Sequence, residues 1–152
     1  VIRSDVVRKE LAGLPLHQPP SPSERDRIYT PEWNERTYAE CLRRAESLLW
    51  EGRRVIVDAT FREAAARSRF LDAANRWGVP GLCVVCEANP DTIRSRLAAR
   101  SGDASDADWA VYVRLAESWE TDAAPVERVS TDGGSETSLG QVLVLLQRNG
   151  LD

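Results

Sequence analysis

Lysine, histidine and methionine are nearly absent from this chain of 152 residues: Lys9 and His17 are the sole members of their types, and there is no methionine. The shortage of lysine has the sharpest consequence. A loop that cradles phosphates needs glycines for close backbone approach and a lysine to meet the charge, and no glycine precedes Lys9. No such loop exists anywhere in the sequence. No apolar stretch approaches the roughly 20 residues that span a bilayer, and no signal peptide is visible, so a cytoplasmic protein without a membrane partner is expected. Three cysteines, Cys41, Cys83 and Cys86, cannot all pair. The Cys83-Val-Val-Cys86 spacing lies on a predicted strand that sends the two thiols to opposite faces, and no second such pair or nearby histidine completes a metal site. Buried, inert thiols are expected. His17 falls in a proline-rich loop and is expected to be solvated. Because the chain opens on Val1 inside an apolar run, a domain whose front lies further upstream is expected.

With 42% hydrophobic and 29% charged residues, the chain has the composition of one globular domain with a real core, read as residues 1–152 without an internal boundary. Twenty basic against 24 acidic residues give a net charge of -4, which argues against an extended nucleic-acid-binding face.

The periodicity predicts strands alternating with helices. Val1 to Asp5 reads as a strand, and Asp5 to Ala12 as a helix stopped by Gly13 and Pro15. His17 to Tyr29, with Pro19, Pro20 and Pro22, reads as an irregular loop. A long helix starts with Thr30 as cap and Pro31 at its first position, carries Tyr38, Leu42, Ala45 and Leu49 as a core stripe, and ends at Gly52. Arg53 to Asp58 is the second strand, Glu63 to Trp77 a helix, Leu82 to Glu87 the third strand and Pro90 to Arg100 a helix. The polar stretch from Ser101 breaks it, and a helix over Asp106 to Trp119, a strand over Val126 to Ser130 and a closing helix over Leu139 to Leu146 follow. Short runs such as VIVDA, buried on both faces, argue for an α/β fold with a parallel sheet covered by helices.

In open parallel sheets ligands bind beyond the carboxyl ends of strands, and Asp5 and Asp58 fall there. The spacing Asp5-Val-Val-Arg8 puts a carboxylate and a guanidinium on one side of the helix's first turn. The acid would take a proton from an acceptor hydroxyl and Arg8 would hold the acceptor's anionic group. A capping acid with an exposed ion pair is the plainer reading of Asp5 and Arg8 alone. Asp58, after an apolar run, matches acids that hold magnesium through water, with Thr60 beside it. Arg96 and Arg100, four apart, are lid candidates for a transferring phosphoryl group, with Arg94 elsewhere around the turn. Arg36, Tyr38 and Tyr29 are candidates for contact with the acceptor.

Taken together, RSDVVRKELAGL, YTPEWNERTY, VIVDATF, CEANPDTIRSRLAAR and GDASDA resemble the predicted-kinase branch of the AAA-type phosphate-loop ATPases, similar to polynucleotide, gluconate and zeta-toxin-like kinases. The resemblance implies Asp5 as general base, Arg8 as acceptor clamp, Asp58 as the second-strand acid and Arg96 and Arg100 as lid arginines, within a lid region over residues 88–108. It implies ATP and Mg2+ as cofactors and a hydroxyl of a small molecule or nucleotide as acceptor, with sugar, antibiotic, nucleotide and polynucleotide end all open. The family's opening strand, phosphate loop (Walker A) and helix are not in this sequence, so a truncated chain that does not itself transfer phosphate is expected.

In such kinases the opening strand lies between the strands read here as Arg53 to Asp58 and Leu82 to Glu87. Either that strand is supplied upstream, or those two strands pair directly. The alternative functional reading is a non-catalytic remnant or interaction module of the same fold. A fusion, with this domain attached to another domain upstream, is also open.

Overall fold

Apolar runs too short to be helices, alternating with helical stretches, should give parallel strands joined by helical crossovers, and the fold is α/β with parallel strand pairs. The computed structural model describes residues 1–100, 104–121 and 125–151. It divides into two units, Val1–Thr60 with Arg100–Asp108, and Phe61–Ala99 with Trp109–Asp152. Of the polar stretch expected to break the fifth helix, Ser101, Gly102 and Asp103 lie outside the described residues.

In the first unit β1 (Ile2–Arg3) runs parallel to β2 (Val57–Asp58), with Ile2 opposite Val57 and Arg3 opposite Asp58. The Ile2 amide donates to the Ile56 carbonyl at 2.8 Å. Val55 and Val57 are half-buried while Ile56 is 66% exposed. The run expected to be covered on both faces is therefore covered on one, and β2 is shorter than its apolar pattern. α1 (Ser4–Ala12) leaves β1 at once and stops at Gly13, whose φ of 68° would strain any residue with a Cβ.

The stretch expected to be irregular from His17 to Tyr29 contains a helix, α2 (Pro22–Ile28). Ser21 accepts from the Glu24 amide, and the Glu24 carboxylate accepts from the Ser21 amide at 2.7 Å. This capping box satisfies amides that a helix start leaves open, and Pro22 at the first position forfeits a bond it would not have made. Pro22, expected within an irregular loop, is a start signal.

α3 (Pro31–Trp50) begins as expected, with the Thr30 hydroxyl accepting from the Trp33 amide at 3.3 Å. Its buried stripe is Thr37, Cys41 and Ala45, so of the expected core stripe only Ala45 is fully buried; Tyr38, Leu42 and Leu49 are half-buried. Small side chains occupy the line where α1 packs on α3, because they allow the closest approach of two helices. The Thr37 hydroxyl, buried there, donates to the Trp33 carbonyl at 2.7 Å. Ile2, Val7, Ile28 and Ala104 complete this unit's core.

The second unit contains α4 (Ala64–Arg76), β3 (Val84–Glu87), α5 (Pro90–Ala99), α6 (Trp109–Glu117), β4 (Glu127–Ser130) and α7 (Ser135–Arg148). β3 and β4 are parallel from Val84 opposite Glu127 to Glu87 opposite Ser130, and α7 packs on β4. Direct pairing of the second and third strands, one of the two expected outcomes, is not what forms, since β2 takes β1 and β3 takes β4. Cys41 is buried as expected, but Cys83 is only half-buried and Cys86 is exposed. The reason is that β3 has no fully buried position and opens at its carboxyl end.

Arg67, 2% exposed, organises the start of α4. It donates to the carbonyls of Phe61 at 2.6 Å and Arg62 at 2.9 Å and to that of Glu120, and lies 4.6 Å over the Trp119 ring. The Glu120 carboxylate accepts from the Ala64 amide at 2.8 Å, capping α4 from a distant point in the sequence. A Cβ at Gly81 would lie 2.9 Å from the Ala74 Cβ, so the chain passes α4 there only as glycine. Among the described residues no helix is long and apolar enough to cross a membrane.

Candidate active site

Two parallel strands in register end side by side, so the side chains at and just beyond their carboxyl ends must share a neighbourhood. Arg3 closes β1 and Asp58 closes β2, with the Arg3 Nε 3.5 Å from an Asp58 carboxylate oxygen. Two residues on, Asp5 stands in the first turn of α1. Burial raises its carboxyl above the usual range, against a hydrogen bond from Ser105 and the charges of Arg8 and Arg3, while the Asp58 charge adds to the rise. The unit thus brings Asp5, Arg8 and Asp58 into one electrostatic neighbourhood.

Arg8 is 6% exposed. Its Nη1 donates to the Ile28 carbonyl at 2.7 Å, and its guanidinium lies 4.9 Å over the Tyr29 ring. Its Nε is buried without a protein partner. Tyr29 in turn donates from its hydroxyl to Asp106 Oδ2 at 3.0 Å. Burial pushes its phenol upward, and the charges of Asp106 and Asp5 push the same way.

Lys9 answers the question the sequence raised. It is 1% exposed, and its Nζ donates to the Leu16 carbonyl at 3.2 Å, the Gln18 carbonyl at 3.0 Å and Asp106 Oδ1 at 3.1 Å. An ammonium has three protons, so these partners use all of them. The chain's one lysine ties α1 to the loop before α2 and to the segment at Asp106. Neither Lys9 nor Asp106 is a site candidate on sequence grounds, and no local spacing joins residues 97 positions apart.

The remaining candidates separate. Tyr38 and Thr60 meet hydroxyl to hydroxyl at 3.2 Å. Arg36 is exposed and lies 4.9 Å over the Trp33 ring. Arg100 follows the end of α5 at Ala99, so it does not continue the helical face of Arg96, and it donates to the Ala107 carbonyl of its own unit. Arg96 belongs to the second unit and grips the end of β4, donating to Thr131 Oγ1 at 2.9 Å and to the Thr131 carbonyl at 2.6 Å. Arg94 lies 4.4 Å over the Trp109 ring.

Among the described residues no group of three His, Cys, Asp or Glu side chains is placed to hold a metal ion. Asp58 is 64% exposed, with Arg3 rather than a second carboxylate at its oxygen, and Lys9 is spent. The described residues do not by themselves form a site for a magnesium triphosphate.

The sequence model of a family described as an AAA domain matches residues 1–121. The uncharacterized protein Rv2004c of Mycobacterium tuberculosis and the uncharacterized protein Mb2027c of Mycobacterium bovis are each 34% identical over 109 residues, 68% of this chain and 21% of theirs. The chain thus spans about a fifth of the length of the curated relatives it matches. Among solved structures, the tunicamycin resistance protein of Deinococcus radiodurans aligns with a TM-score of 0.54 at 16% identity, over 99% of this chain and 82% of that one. That likeness is one of fold.

Proposed function

The chain belongs to this AAA-domain family and has its P-loop kinase-like fold, and from that premise we propose that it is an ATP-dependent phosphotransferase domain acting on a hydroxyl of a small molecule or nucleotide. The observation that carries the proposal is Asp5 at the parallel strand ends, half-buried, with its carboxyl raised by burial and a second acid, Asp58, beside it. A carboxyl moved toward neutrality is better matched to proton transfer than an ordinary surface acid.

In this reading Asp5 accepts the proton of the acceptor hydroxyl as the hydroxyl oxygen bonds to the γ-phosphorus of ATP and the bond from that phosphorus to ADP breaks. Arg8 holds an anionic group of the acceptor. Tyr38, Thr60 and Arg36 contact the rest of it, and Arg100 is the cation of this unit that meets developing charge. ATP supplies the phosphoryl group with Mg2+ as its counter-charge, and no residue of this chain is assigned to grip the triphosphate.

A second reading, a non-catalytic module of the same fold, is favoured by the full hydrogen-bonding of Lys9. Equilibrium ATP binding by the intact protein, followed by ADP release with sugars, nucleosides and tunicamycin as acceptors, separates the two. Tunicamycin is included because the fold neighbour is a tunicamycin resistance protein. Saturable ATP binding with acceptor-dependent ADP release is expected, and a protein that binds no ATP is the module.

A further inference from the structure

The 104–108 segment is set against α1 by two neighbouring residues. Ser105 hydrogen-bonds the Asp5 side chain. Asp106, with a side chain 6% exposed, accepts from Lys9 at one carboxylate oxygen and from Tyr29 at the other. Ala104, 1% exposed, fills the space beside them. A two-atom carboxylate shared between a buried ammonium and the Tyr29 phenol fixes the backbone on one side of Ser105 in place, and the packed methyl of Ala104 fixes it on the other.

We propose that Ser105 is a positioning residue for Asp5, and that the Lys9–Asp106–Tyr29 clasp exists to hold its hydroxyl against that carboxylate. The inference rests on the reading of Asp5 as the base. It assigns the solitary lysine to building the acceptor side of the site. A carboxylate that accepts one hydrogen bond from a fixed hydroxyl keeps one orientation, leaving its other oxygen for the acceptor's proton. A variant without that bond samples other rotamers and reacts less often from the right one.

Asp5 is surrounded by Arg3 from β1, Arg8 from α1, Asp58 from β2, Tyr29 after α2 and the Cys41 thiol from α3. The bond from Ser105 is the strongest influence opposing the effect of burial on the Asp5 carboxyl. The test is a carbon-13 NMR titration of that carboxyl in the intact, nucleotide-free protein. Ser105→Ala should move the Asp5 midpoint upward, Ser105→Thr should restore it, and Asp106→Asn, which keeps Ser105 but loosens the clasp that holds its hydroxyl, should move it in the same direction as Ser105→Ala. In turnover, Ser105→Ala should lower kcat several-fold with KM for ATP unchanged.

A midpoint unchanged in Ser105→Ala overturns the proposal, as does a Ser105→Thr variant that behaves like alanine. The titration does not depend on any reaction. Failure of the base reading shows separately, as unimpaired phosphoryl transfer by Asp5→Asn.

Discussion

Arg3 and Asp58 are direct partners in the parallel register of β1 and β2, and their side chains approach to 3.5 Å where both strands end. The pair is open to water, with side chains 37% and 64% exposed, so its contribution to stability is small, about 1 kcal/mol or less. Its effect falls on Asp5. The Arg3 charge lowers the Asp5 carboxyl and the Asp58 charge raises it. Arg3→Gln should therefore move the Asp5 titration midpoint up and Asp58→Asn should move it down, with urea-unfolding stability changed by no more than about 1 kcal/mol in either. Midpoints that move together would contradict the arrangement.

Lys9→Met should be severely destabilising. The ammonium and the Asp106 carboxylate are 1% and 6% exposed, and removing one partner of a buried pair leaves the other charge without its counterion, at about 3–5 kcal/mol. Urea unfolding measures this, and Lys9→Met with Asp106→Asn together should lose less than the sum of the single changes. A loss under about 1 kcal/mol for Lys9→Met would mean that the pair is solvated.

The pH dependence of stability follows from the sign of the Asp5 shift. Burial raises the folded carboxyl above its unfolded value, so the folded state holds this proton more tightly. The contribution is fully present below the ordinary carboxylate range and is lost as pH rises through the raised folded value. Asp5→Asn, which cannot ionise, should therefore be more stable than the parent at neutral pH, with the advantage vanishing toward acid. Urea midpoints across that interval test it, and a variant less stable at neutral pH than in acid, relative to the parent, would reverse the assigned sign.

Gly81→Ala should destabilise the second unit by about 1–3 kcal/mol through overpacking. The added Cβ would meet the Ala74 Cβ at 2.9 Å and the Leu71 side chain at 3.3 Å. Thermal or urea unfolding checks it, and a neutral result would show that α4 shifts freely.

What the sequence made legible is the chemistry carried by neighbours in the chain. Thr30 with Pro31 starts α3 and Gly13 ends α1 because caps and left-handed turns are local. The position of Asp5 and Asp58 at or just beyond strand ends is legible because a strand end is visible wherever an apolar run meets an acid. α2 was missed because three prolines among serines and charges read as an irregular loop until Ser21 and Glu24 are seen to close a capping box around Pro22. The one-sided burial of β2 and the exposure of Cys86 depend on which face the fold covers, which an apolar run does not encode. The clasp was out of reach because Lys9, Tyr29 and Asp106 share no period or motif, and only the folded chain brings them together.

The most direct test of the account is phosphoryl transfer and ATP affinity measured side by side for the intact protein and its Asp5→Asn variant. With Asp5 as the base that receives the acceptor's proton, transfer should fall by about 10²–10⁴-fold while ATP affinity stays unchanged. Undiminished transfer by Asp5→Asn would contradict the central claim.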